Sequence, residues 1–358
     1  MRISRQGLAL TALTALLAVT TYELRPQRQV LRQRVEPDAA VKAAYLAMRQ
    51  HFELRKSPAR ETPPKLLTVM TLNVGLSPSV PHLAARKIAM NPVVERLIDA
   101  FNVDVFFFQE LWEADSVASL RKLFKARGYS FVSPLPSGTL GAMTGLQIAV
   151  RDSRLKPIRA SFEAFEPSSV ALGWFVEARD LRGSLVGRFE LDDSLRVTLM
   201  NTHLTSGIAN LVRRRIQSQV FGERLRGELN KSADVVIAGA DMNASPDFAD
   251  AVRGEVPDWR ENGLVLADLL SKSRFFDLFA VLHPTDAGWT QERERNLLAR
   301  TGSGTEYEPE QRIDYIFFGD TKNQLKPLQA SVVVDELMIE GTELPIGDHH
   351  GLLGTFAY

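Results

Sequence analysis

Eight polar residues spread along the chain have side chains suited to hydrolysing a phosphate ester: Asn73, Glu110, His203, Asp241, Asn243, Asp314, Asp348 and His349. Such a reaction must neutralise the non-bridging phosphate oxygens, activate a water and stabilise a leaving oxygen. Carboxylate and amide oxygens such as those of Glu110, Asn73 and Asp348 suit a hard cation like Mg²⁺, which prefers oxygen ligands and keeps several waters. A histidine can take the proton from the attacking water, and a buried carboxylate such as Asp314 can fix its tautomer. Asn243 and His203 can donate hydrogen bonds to phosphate oxygens. Singly these signals are weak, since Gln-Glu after a strand often opens a helix and Asp-Met-Asn often forms a turn. Asp314 stands out, because a carboxylate within an apolar strand needs a partner.

The elements that must position them are legible as short apolar runs. Leu66–Leu72, Val105–Phe108, Leu146–Val150, Val197–Met200, Val235–Ala238, Ile313–Phe318 and Leu352–Phe356 read as strands. Residues 84–101, 116–127 and 208–229 read as helices. Several strands are apolar almost throughout, as happens when both faces are covered, so the expected class is α/β with helix-covered sheets. Asn73, Gln109-Glu110, His203 and Asp241 each follow such a run, and Asp348-His349 precede the last one. Polar groups at the mouths of several strands are how an α/β sheet builds a site.

The composition of the 358 residues is ordinarily globular, 45% hydrophobic and 24% charged. Lys plus Arg and Asp plus Glu number 43 each, which leaves no strong basic field for gripping long nucleic acids. The absence of cysteine excludes disulfides, thiolate nucleophiles and Cys-based zinc sites. At the start, Arg2 and Arg5 precede an uncharged stretch from Gln6 to Tyr22, so residues 1–24 read as a signal peptide or membrane anchor. An exported or membrane-anchored protein is expected. Residues 25–64 read as a linker with an amphipathic helix, Asp38 as its N-cap and Val41, Tyr45, Met48 and Phe52 at helical spacing. That helix is expected as a spacer or packed on the domain. Pro58, Pro63 and Pro64 then mark the start of a catalytic domain over 65–358.

The ordered set TLNV, FQELW, GLQIAV, NTHL, GADMN, RIDYIF and GDHHG resembles the endonuclease/exonuclease/phosphatase superfamily, from about Leu66 to Phe356. The resemblance implies a four-layer α/β sandwich, two mixed β-sheets packed face to face with flanking helices. It implies Glu110 as the principal Mg²⁺ ligand, assisted by Asn73 and Asp348, with Mn²⁺ as a substitute. His349 is implied as general base, Asp314 as the carboxylate orienting it, Asp241 and Asn243 as the pair positioning nucleophile and phosphate, and His203 as a phosphate contact. Two departures stand out: an alanine in Gly239-Ala240-Asp241-Met242-Asn243, and Gly347 where the family has Ser before Asp-His.

Within the superfamily, FQELW with Trp112 and the run FEAF…GWFVEARDLRGSLVGRFEL resemble the neutral sphingomyelinase branch, which carries Lys-Gly where this chain has Arg182-Gly183. The expected activity is therefore hydrolysis of a phospholipid head group at a membrane surface, with no protein partner inferred. An exported or periplasmic nuclease is the alternative, with nucleic acid as substrate and Arg213-Arg214-Arg215 as backbone contacts, although a solvated helix face is the better account of that run. A non-catalytic binding module on this fold is disfavoured by the retention of the whole polar set. Phe248, Trp259, Phe275, Phe276 and Phe279 are candidates for membrane docking but fit a core better.

Overall fold

The computed structural model describes residues 34–35, 38–55, 64–77, 80–133, 144–165, 181–192, 195–231, 233–246, 248–249, 259–272, 274–301, 309–334, 336–339 and 342–358. The expected signal or anchor segment and the GWFVEARD run lie outside them. Strands β1 (Leu66–Asn73), β2 (Val105–Gln109), β3 (Tyr129–Val132) and β4 (Gln147–Arg151) open the first sheet. The second sheet takes the next six, β5 (Leu155–Ala164), β6 (Gly183–Leu191), β7 (Leu195–His203), β8 (Val235–Asp241), β9 (Phe276–Asp277) and β10 (Asp314–Asp320). The chain returns to the first sheet with β11 (Lys326–Val333) and β12 (Gly351–Ala357).

The sheet orders are β11-β12-β1-β2-β4-β3 and β9-β10-β8-β7-β6-β5. Each is mixed, with one parallel pair at its centre, β1 with β2 and β7 with β8, among antiparallel neighbours. Alternation along the strands divides the core. Leu67, Val69 and Phe107 join the cluster shared with the second sheet, and Met70, Leu72, Phe106 and Phe108 point the other way. That outer face is covered by Val94, Leu97 and Ile98 of α2 (Leu83–Phe101) and by Leu120 and Phe124 of α3 (Ala114–Ala126). Phe221 and Leu225 of α4 (Leu211–Lys231) and Leu266 and Leu269 of α5 (Leu264–Lys272) join the cluster of the second sheet. The four-layer sandwich is the architecture observed.

The strands that sequence periodicity misses are mostly marginal in position. β5 and β11 are edge strands, each bulged beside a proline, at Pro157/Arg159 and Pro327/Gln329. Proline and charge at an edge prevent further pairing, but they erase the apolar signature.

The N-terminal helix is part of the folded unit. Asp38 caps helix α1 (Ala39–Glu53), its side chain accepting from the Ala40 amide at 2.8 Å. Val41, Ala44, Tyr45 and Met48 are buried, and the Tyr45 hydroxyl donates to Asp277 at 3.1 Å. Arg55 pairs with Asp320 at 2.6 Å and stacks over Phe276. Through these contacts the helix packs on the domain.

Candidate active site

Strand direction gathers the polar residues at one edge of the sandwich. β1, β2, β7 and β8 end there, carrying Asn73, Gln109 (followed by Glu110), His203 and Asp241. β10 and β12, antiparallel to β8 and β1, begin there, so Asp314 and the Asp348-His349 pair arrive at the same edge. In register, His203 stands beside Asp241 and Asp241 beside Asp314. Ala240 takes an ordinary strand position opposite Tyr315, so the extra alanine leaves Asp241 aligned.

Asp241 is the hub. Its Oδ2 accepts from Asn73 Nδ2 at 2.7 Å and lies 3.3 Å from His203 Nε2 and 4.0 Å from His349 Nδ1. Its Oδ1 accepts from the Asn243 amide at 2.9 Å. His349 Nδ1 is 2.9 Å from Asp314 Oδ2, and both residues are buried. Thr290 Oγ1 accepts from the Ile313 and Asp314 amides, at 3.2 Å each, steadying that carboxylate. Glu110 Oε1 lies 3.8 Å from His203 Nε2. All eight residues singled out in the sequence converge, Asp348 beside Gly75 across from Glu110.

The local backbone is specialised. Glu110 and Asn243 adopt positive φ, 55° and 48°, which Asn tolerates and Glu rarely adopts. A Cβ at Gly347 would stand 2.6 Å from the Asn73 carbonyl oxygen, so the serine usual in the family does not fit this backbone.

Burial and crowded charge set the protonation states. Burial and the Asp348 carboxylate raise Glu110, and burial raises Asp241 to about 7 against the pull of His349. Burial opposes the charged form of His349, but Asp314 beside its ring overrides it, with help from Asp241 and Asp348, and holds the imidazolium well above its usual range. His203 goes the other way, kept neutral by burial and by Arg182 and His349.

Glu110, Asp348 and Asn73 fit a hard divalent cation. Two carboxylates repel each other out of water, and Asp348 Oδ1 is buried without a hydrogen-bond partner among the described residues. Oxygen and nitrogen atoms of Asp241, Asp314 and His349 also cluster within 4.8 Å of one another. His349 Nδ1 is already spent on Asp314, 2.9 Å away, while Asp241 Oδ2 stands 4.0 Å from the same nitrogen without a hydrogen bond to it.

The sequence gives no sign of how these residues are held from behind. Asn201 of β7 crosses to the first sheet, donating to the Phe108 and Gln147 carbonyls at 2.8 and 2.9 Å and accepting from Gln109 at 2.7 Å. Arg182 lies over the Trp112 ring at 5.8 Å, in the field of Glu110 and His203. Arg213-Arg214-Arg215 does not form a continuous solvated face, because Arg214 is buried and Arg215 is paired with Asp268 at 2.9 Å. Asn201 and Arg182 lie within motif stretches that single out their neighbours, and nothing local in the sequence marks what these residues hold.

The model of the endonuclease/exonuclease/phosphatase family matches residues 70–328. The chain belongs to this family. It is thus a hydrolase of the phosphoester class. No curated protein matches the sequence significantly. Among solved structures, the fold is similar to D. rerio TDP2 complexed with a single-strand DNA product, with TM-score 0.58 and 19% identity over 82% of this chain and 99% of that one. It is similar to a Bacteroides thetaiotaomicron mannosyl-6-phosphatase, with TM-score 0.57 and 15% identity over 82% and 100% of the two chains. The human Nocturnin catalytic domain with a bound sulfate gives TM-score 0.53 and 16% identity over 93% and 99%. At these identities the likeness speaks for the fold alone.

Proposed function

We propose that this family member is a Mg²⁺-dependent phosphodiesterase that cleaves phospholipid head groups, with Mn²⁺ able to substitute. The carrying observation is the buried His349–Asp314 pair facing Asp241 and, beyond it, the Glu110, Asn73 and Asp348 oxygens. Asp314 accepts the Nδ1 proton and leaves Nε2 as the site that takes a proton from water. Asp241, held by Asn73 and by the Asn243 amide, aligns the attacking water. Neutral His203 and the second Nδ2 hydrogen of the Asn243 side chain donate to phosphate oxygens, and Arg182 adds positive charge beside them. Glu110, Asn73 and Asp348 would hold the cation, which would supply Lewis-acid stabilisation of developing phosphate charge.

The lipid assignment rests on the sphingomyelinase-like FQELW and Arg182-Gly183 elements and on the apolar N-terminal stretch, read as export or membrane attachment. Among the described residues no helix is long and apolar enough to cross a membrane, and Phe275, Phe276 and Phe279 are buried in the core. The second reading is an exported nuclease, favoured by the likeness to TDP2 with its single-strand DNA product. The deciding experiment follows phosphocholine release from sphingomyelin vesicles by the full chain, with Mg²⁺ and with chelator. Release that chelation and His349→Ala both abolish supports the lipid hydrolase. Absence of release from folded protein that nicks plasmid DNA moves the assignment to the nuclease.

A further inference from the structure

Among the described residues, two arginines are the largest side chains wholly withdrawn from solvent, Arg86 of α2 and Arg214 of α4, at 0% and 1% exposure. Burying a guanidinium is costly unless its donors are filled and its charge is balanced. Neither has a part in the chemistry above, yet each ties together two of the segments that carry it.

Arg86 donates from Nη2 to the Val74 and Gly75 carbonyls at 2.7 and 2.8 Å, and from Nε to the Ile346 carbonyl at 2.7 Å. It thereby joins the segment following Asn73 to the segment preceding Asp348. Its charge faces Asp348 and Glu110. Gly75 makes the approach possible, since a Cβ there would lie 2.5 Å from Asp348 Oδ1 and 3.2 Å from Arg86 Nη2.

Arg214 serves the other half. Nη1 donates to the Thr205 and Gly207 carbonyls at 2.9 and 2.7 Å, just beyond His203. Nε and Nη2 both reach Asn262 Oδ1, at 3.2 and 2.9 Å, and Asn262 Nδ2 holds the Asn243 carbonyl at 3.1 Å. Asn243 Nδ2 closes the loop on the Leu204 carbonyl at 3.1 Å.

We propose that these arginines divide the positioning of the site, Arg86 setting the metal-ligand segments and Arg214 the phosphate-contacting ones. The proposal rests on the metal-dependent reading above. Both are positioning residues that act through backbone carbonyls. Lysine is no substitute, because a single ammonium cannot span carbonyls that the planar guanidinium reaches from several nitrogens at once.

The test compares Arg86→Lys and Arg214→Lys in the full chain. Mn²⁺ affinity is measured directly by titration calorimetry, and bis(4-nitrophenyl) phosphate hydrolysis is measured at saturating Mn²⁺. Arg86→Lys is expected to weaken Mn²⁺ binding about 10–100-fold and leave KM for the diester unchanged. Arg214→Lys is expected to leave Mn²⁺ affinity unchanged while kcat/KM at saturating metal falls about 10–100-fold. Where a lysine variant loses its cooperative melt, Arg86→Gln, which keeps a neutral donor, replaces the first, and Asn262→Ala, which keeps Arg214 but removes its link to the Asn243 carbonyl, replaces the second. Wild-type protein that does not bind Mn²⁺ overturns the metal reading itself. Wild-type binding with Arg86→Lys equally tight, or parallel losses in both variants, overturns the division of roles.

Discussion

At the residue scale, the decisive geometry is a histidine whose two nitrogens have different work. With Nδ1 on Asp314, the proton-accepting position is Nε2, and His349→Ala is expected to lower kcat by about 10²–10⁴ with an unchanged circular dichroism spectrum. In the proposed mechanism the rate depends on neutral imidazole and is expected to rise with pH through the raised value of His349. Asp314 is the strongest of the influences raising that value, while burial acts to lower it. Asp314→Asn is therefore expected to slow the reaction and also to move the acidic limb of the kcat profile to lower pH. An unshifted limb in a folded, slower variant would assign the limb to another group.

At the element scale, the site depends on two sheets held at one separation. Gly239 of β8 faces Phe107 of β2, and a Cβ there would stand 2.4 Å from the ring. Gly239→Ala is expected to destabilise the sandwich by about 1–3 kcal/mol through overpacking, measured by urea unfolding. Below Asp314, Arg312 Nη1 pairs with Asp277 at 2.7 Å in a fully buried contact that also takes in the Tyr45 hydroxyl. Removing only the cation strands the carboxylate, so Arg312→Met is expected to cost about 3–5 kcal/mol in the same assay. Through this contact helix α1 reaches the base of the strand that bears the histidine's partner.

At the scale of the whole molecule, the N-terminal helix shares the core of the domain that carries the site. A chain beginning at Leu66 loses the burial of Val41, Tyr45 and Met48 and exposes Phe276 and Phe318 beneath Phe52 and Arg55. It is expected to melt at lower temperature than a chain beginning at Arg34, and scanning calorimetry of the two compares them directly. Stability should also fall in mild acid. Burial, Arg295 and His349 push His350 down to about 3 from its ordinary 6.5, so the unfolded chain binds this proton more tightly. The contribution is whole above pH 6.5 and declines as the pH falls toward 3, by about 2 kcal/mol at pH 5. The stability difference between wild type and His350→Gln across that range reads it without the other titrating groups.

The family motifs, the central strands and the helices α1 to α4 were readable in the sequence because each is a local pattern. Apolar runs covered on both faces, helical spacing and a polar residue at each run's end need no knowledge of the partner element. The types and order of eight polar residues also single them out, and the fold brings them to one edge of the sandwich. What the tertiary structure alone decided is how they are held. Asn201 bridges the sheets, Arg86 and Arg214 brace the loops, and Gly347 leaves room for the Asn73 carbonyl oxygen. Each of these roles depends on a segment distant in sequence. The edge strands were hidden for a related reason: proline and charge there serve the sheet's boundary. A buried arginine reads like a solvated one until the chain folds over it.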